Sequence, residues 1–255
     1  MRIPDKAIKI SVVSYLNSKP FIYGIQHSGL LKSIDLELDI PSVCAEKLLT
    51  GKADIGLVPV AIIPQNKNFR IISDFCIGTK NEVYSVALFS EVPIEEIENV
   101  YLDFHSRTSV MLTRILFKNY WKKSPNFLPA DEDFISKISG KNAGVIIGDR
   151  TFGLHQQFKF VYDLASNWFD YTGLPFVFAC WVSTKPLDEK FLTFFNEALR
   201  FGLDHVEDVI EEYENNSVYN TDVKKYLTHY LDYNLDAPKK QALQRFWKEI
   251  ENINI

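Results

Sequence analysis

Two methionines and three cysteines are few for 255 residues, and what is missing around them already narrows the possibilities. Cys44, Cys76 and Cys180 stand apart with no Cys-x-x-Cys pair, and an odd number of cysteines does not build a disulfide framework. No apolar run approaches the ~18 residues of a membrane span. Nor do the basic residues at the start lead into an apolar core of roughly 7–15 residues, as in a secretory signal. The expected location is therefore the cytoplasm, without membrane association. Positive charge is also in short supply. With 28 Lys and Arg against 33 Asp and Glu, the net charge is −5, which leaves no electrostatic footprint for nucleic acid. The five histidines show no metal-binding spacing, and no glycine-rich dinucleotide motif, phosphate loop or nucleophile elbow is present. No metal and no cofactor are expected.

What is present begins with a β-branched run at Ser11 to Val13, a polar break, and then Pro20, Phe21, Ile22 and Ile25 at helical spacing. Pro20 suits the first turn of a helix, where its missing N–H costs nothing, and Asn17 or Ser18 is the natural N-cap. Such a strand-to-helix turn presents free N–H groups and is a ready anion site. Ile34 to Ile40 alternate as a half-exposed strand, Ser42 is expected to cap a short helix stopped by Gly51, and residues 53–60 read as a buried strand. This β-α-β-α-β order favours a parallel sheet covered by helices.

Residues 71–77 and 83–89 are two further strands. A second unit opens at residues 100–104 and runs through Ser106-Arg107-Thr108-Ser109 into a helix. The buried strand at 143–147 ends on Gly148-Asp149. Residues 176–182 are the most apolar run, with Trp168, Phe176, Phe178 and Trp181 read as core. From Leu187 one helical face persists to Tyr213, followed by helices around 226–233 and 243–250. The expected architecture is α/β and two-lobed, with residues 1–88 and 177–255 forming the first lobe, including a helical tail, and residues 89–176 the second.

In such lobes ligands sit at the carboxyl ends of the strands. That rule gathers the Ser14–Ser18 turn, Ser85, the Ser106–Ser109 turn and Asp149 around one cleft. Three hydroxyls and a guanidinium at Ser106–Ser109 could satisfy a carboxylate, or they could cap the helix with Arg107 in solvent. Ser85 either faces the cleft or bonds a neighbouring strand. Asp149 could orient a substrate hydroxyl, act as an acid or cap the next helix. The candidates are hydrogen-bond donors with few acids or bases, which suits recognition of a small anion or an enzyme whose substrate brings its own base.

These stretches resemble the chorismate dehydratases of the futalosine pathway of menaquinone biosynthesis. The similarity rests on residues 13–21 (Val-Ser-Tyr-Leu-Asn-Ser-Lys-Pro-Phe), residues 53–60, Asp103 with residues 106–110, residues 145–149, and Trp168 with residues 172–179, all in family order. Two departures stand out: Ser18 where threonine is common, and Arg150-Thr151-Phe152 after Asp149. The resemblance implies a fold like the type 2 periplasmic binding proteins and conversion of chorismate to 3-[(1-carboxyvinyl)oxy]benzoate with loss of water, by a monomer or homodimer. It points to Asn17 and Ser85 as catalytic, with Ser14, Tyr15, Ser106, Arg107, Thr108, Ser109 and Asp149 binding substrate. An amide is not a base at neutral pH, so the substrate's own carboxylate is expected to take the proton. Two other classes remain: a protein that only binds a small carboxylate, and the related naphthoate synthase, which would need His105 or His155 facing the ligand.

Overall fold

Strand β1 (Ile8–Val13) turns inward along its length and becomes fully buried from Ile10, the β-branched residues filling one sheet from both faces. The computed structural model describes residues 7–214 and 219–253; the expected lobe ends at residues 1–6 and 254–255 lie outside them. Helix α1 (Lys19–His27) carries Pro20 in its first turn, as the sequence predicts. The cap differs: a 3-10 turn over Leu16–Ser18 intervenes, and Ser18 donates to the Asn17 side chain, making no cap bond.

Next come β2 (Ile34–Asp39), α2 (Pro41–Leu49), β3 (Ile55–Pro59) and β4 (Arg70–Thr79). Helix α2 opens on Pro41, not on a Ser42 cap; the Ser42 N–H instead donates to the His105 carbonyl at 3.2 Å. The chain then crosses into a second sheet made of β5 (Val86–Ser90), β6 (Asn99–Leu102), β7 (Asn126–Pro129), β8 (Asn142–Ile147) and β9 (Phe160–Asp163). Helix α3 (Thr108–Ile115) follows β6 and α4 (Leu164–Thr172) follows β9. Strand β5 starts three residues later than the sequence pattern predicts because Tyr84 has φ +67°, which breaks extended backbone. It belongs wholly to the second sheet, whereas the expected boundary at residue 88 would divide it.

The chain returns through β10 (Phe176–Ser183), buried along its full length between β4 and β3. Helices α5 (Glu189–Asp204) and α6 (Val206–Glu214) divide the expected long helix at His205. The short α7 (Val223–Lys225) runs into a π turn at Tyr226–Tyr230, then β11 (Asp232–Asn234) and α8 (Ala237–Glu251). Residues 226–233 are thus not one helix. β11 extends the first sheet, whose order is β11-β4-β10-β3-β1-β2.

In the first sheet β1 runs parallel to β2 and β3, while β10 and β11 are antiparallel to their neighbours. The second, ordered β7-β6-β8-β5-β9, has β6 parallel to β7 and β8 and β5 antiparallel to β8 and β9. α1 is pinned to α5 where Gly24 meets Gly202: a Cβ on Gly24 would fall 2.0 Å from the Ala198 carbonyl oxygen. The strand ends after Val13, Pro59, Leu102 and Ile147 consequently meet across the space between the sheets.

Candidate active site between the two lobes

A narrow cavity of about 50 Å³ lies at that meeting point. Tyr15 and Asn17 from the first turn, Ser85 from the crossing, Ser106, Thr108 and Ser109 from the start of α3, and Gly148 after β8 line it, with Val13, Pro59, Ile77, Ile147 and Phe178 among its apolar walls. Phe178 is therefore a wall of the cavity as well as core. They are brought together because Tyr15, Asn17, Ser106, Thr108, Ser109 and Gly148 follow strands whose ends face the cleft, while Ser85 lies just before β5.

The α3 turn is arranged by its own hydroxyls. Ser106 Oγ accepts the Ser109 N–H at 2.9 Å and donates to Ser109 Oγ at 3.0 Å, which leaves the Ser109 hydroxyl proton free. Thr108 is committed elsewhere: its hydroxyl donates to the Phe178 carbonyl at 3.1 Å and accepts the Ala61 N–H at 3.3 Å, tying the second lobe to the first. Arg107 is exposed and is not part of the lining.

Asn17 and Ser85 share a floor supplied by the tail. Ser85 Oγ lies 2.7 Å from the Tyr226 hydroxyl. Ser18 Oγ donates to Asn17 Oδ1 at 2.9 Å, and the Tyr233 hydroxyl donates to the Asn17 carbonyl at 3.1 Å. Ser85 thus faces the cavity and also bonds a buried neighbour. The two tyrosines are fully or nearly buried, and burial raises both phenols far above their ordinary range, so they stay protonated. The sequence reading missed both, and nothing local to residues 226–233 distinguishes them from core aromatics.

Asp149 and Ser14 flank the cavity without lining it. Both Asp149 carboxylate oxygens accept the Leu16 N–H at 3.1 Å, so this aspartate of the second lobe holds the free donor of the 3-10 turn in the first. Burial pushes its carboxyl up to about 6, against the pull of the Leu16 N–H and Lys19. Behind Tyr15 lies a second network. The Tyr15 hydroxyl and His105 Nδ1 are 2.7 Å apart, and Asp103, fully buried, accepts the N–H groups of His105 and Ile147 and pairs with Arg150. Desolvation, then the Arg150 charge, lowers the His105 pKa and keeps the ring neutral. His155 bonds the Tyr84 carbonyl at 2.9 Å. Neither histidine lines the cavity. Among the described residues no cluster of His, Cys, Asp or Glu could hold a metal ion, and no helix is long and apolar enough to cross a membrane.

Comparison with known proteins bears on this arrangement. A family model described as menaquinone biosynthesis matches residues 8–252. A curated chorismate dehydratase from Thermus thermophilus is 27% identical over 255 residues, covering 91% of each chain. Another from Campylobacter jejuni is 28% identical over 130 residues, 49% of this chain and 57% of that one. Among solved structures, a protein from Archaeoglobus fulgidus superposes with a TM-score of 0.74 at 14% identity over 98% of both chains. A Candida albicans protein described as having the generic periplasmic binding protein fold matches at 0.69 and 13% identity, over 98% of this chain and 92% of that one. At these identities the structures speak to the fold, which is that of the periplasmic binding proteins.

Proposed function

Because this chain belongs to the menaquinone biosynthesis family, we propose that its cleft converts chorismate to 3-[(1-carboxyvinyl)oxy]benzoate and water. The observation that carries the reading beyond the family is the chemistry of the cavity wall. Its polar groups are an amide, serine and threonine hydroxyls and one phenol, and none of the described lining residues carries a carboxylate, imidazole or amine. A wall of this kind can bind and orient but cannot take a proton at neutral pH. Chorismate supplies what is missing, because the carboxylate of its enolpyruvyl ether hangs beside the ring carbon that must be deprotonated.

In this mechanism the enolpyruvyl carboxylate removes the proton from the ring carbon bearing the ether. The C–H electrons form a ring double bond, and the hydroxyl on the adjacent carbon departs with both C–O electrons. It leaves as water once the abstracted proton is returned. The ring becomes aromatic, so the enzyme has mainly to hold one conformer. Positioning of this sort is worth roughly 7–11 kcal/mol when the reacting groups are aligned.

Ser106, the free hydroxyl of Ser109 and the N-terminus of α3 bind one carboxylate. Asn17 and Ser85 hold the ether and the departing hydroxyl. Thr108 and Asp149 join the lobes around the substrate, and a closed cleft excludes water and strengthens each polar contact. Incubating the purified protein with chorismate alone and following the products by mass tests the reading. Loss of one water to an aromatic ether is the expected result. Binding without turnover would move the chain to the small-carboxylate binders, and absence of binding would overturn the substrate.

A further inference from the structure

The tail of this chain comes back under the cleft, where Tyr226 meets the proposed catalytic side chain of Ser85. Tyr226 is the first residue of a π turn, is 0% exposed, and sits with its hydroxyl 2.7 Å from Ser85 Oγ. π turns interrupt helices at a cost in regularity and frequently mark functional positions. Phe152 meets the ring edge-on at 5.0 Å, and a few residues on Tyr230 stacks against Tyr84, the residue before Ser85, at 5.0 Å. The segment is thus fixed from both sides, and the phenol has no freedom to swing away.

We infer that Tyr226 is a positioning residue that sets the direction of the hydroxyl proton of Ser85. The hydrogen-bond inventory leads there. Among the described residues the one hydrogen-bond partner of the Tyr226 hydroxyl is Ser85 Oγ, at 2.7 Å. A phenol that is 0% exposed must place its proton on that partner or leave it buried and unpaired. Ser85 then accepts from Tyr226, and its own proton points into the cavity, where the departing hydroxyl of the substrate needs a donor. Without the phenol, Ser85 is free to rotate and spend that proton on a backbone carbonyl.

The assignment rests on the proposed dehydration, and the test separates the two. Tyr226→Phe keeps the ring and its packing, so it is expected to fold with an unchanged melting temperature. On chorismate it is expected to lower kcat by about tenfold to a hundredfold with KM within about twofold, the pattern of an interaction realised in the transition state. Combined with Ser85→Ala it should cost nothing beyond Ser85→Ala alone, because Tyr226 acts through Ser85. A wild-type rate in Tyr226→Phe, or losses that multiply in the double variant, would overturn the inference while leaving the dehydration in place. Should the wild type fail to turn chorismate over, the dehydration falls, and high-resolution crystal structures of wild type and Tyr226→Phe decide the inference by themselves. Displacement of Ser85 Oγ in the variant supports it, and an unchanged Ser85 side chain overturns it.

Discussion

Asp149 in the second lobe holds the backbone N–H of Leu16 in the first, with both carboxylate oxygens at 3.1 Å. The bond closes the two strand-end turns onto each other directly beside the cavity. A group that the sequence offers as a substrate ligand is therefore a clasp between lobes, and its titration becomes a property of the closed form.

The first prediction follows from that titration. Burial raises the Asp149 carboxyl from 3.8 to about 6. A native state that binds the proton more tightly than the unfolded chain is favoured at low pH. The contribution of this group to stability is therefore largest below about pH 4, falls as pH rises to about 6, and is constant above that. Asp149→Asn has no such titration. Urea unfolding of both proteins across this range should show wild type gaining on the variant as pH drops from 6.5 to 4. A difference that stays flat over the interval would contradict the raised pKa.

The second prediction concerns Arg107. The sequence makes it the natural partner of a substrate carboxylate, yet it is exposed and outside the cavity lining, while the serines of the same turn face inward. A guanidinium in water gains little from a charge it does not touch. Arg107→Gln should change KM for chorismate by less than about threefold, where loss of a direct charged hydrogen bond would cost about tenfold or more. Steady-state kinetics distinguish the two outcomes, and the larger effect would place Arg107 on the substrate.

Why the sequence reveals some of this site and not the rest has a physical basis. Asn17, Ser106 and Ser109 are visible because each is a polar residue in a turn after an apolar strand, where clefts form, and Ser85 because it is polar inside an apolar run. The β-α-β-α-β start is visible for the same local reason: periodicity and Pro20 report on backbone within a few residues. Tyr226 and Tyr233 are invisible because their roles come from contacts with residues 141 and 216 positions earlier. Their segment reads as one amphipathic helix until pairing of β11 with β4 breaks it at Leu231. Arg150 likewise gains its meaning from a buried partner, Asp103, in another loop. Ser18 takes one of the two expected N-cap positions without making a cap bond, and the 3-10 turn it ends is held by Asp149 from the other lobe.

The last prediction tests how closely the lobes must meet. Gly148 has φ +66°, and a Cβ there would lie 2.6 to 2.8 Å from the ring of Tyr15, the residue that reaches across to His105. Gly140 has φ +56° with open space around its Cβ position. An alanine at Gly140 therefore meets only the left-handed backbone penalty, about 1–2 kcal/mol. An alanine at Gly148 meets the same penalty and in addition drives Tyr15 from its place, adding about 1–3 kcal/mol of overpacking. Denaturant unfolding should show Gly148→Ala to be the more destabilised of the two. The kinetic contrast should be sharper. Gly140→Ala is expected to keep the wild-type kcat and KM on chorismate, and Gly148→Ala to raise KM and lower kcat together, because Tyr15 is both cavity wall and inter-lobe contact. Equal stability losses and intact kinetics in both variants would mean that the lobes can part at Tyr15 without consequence.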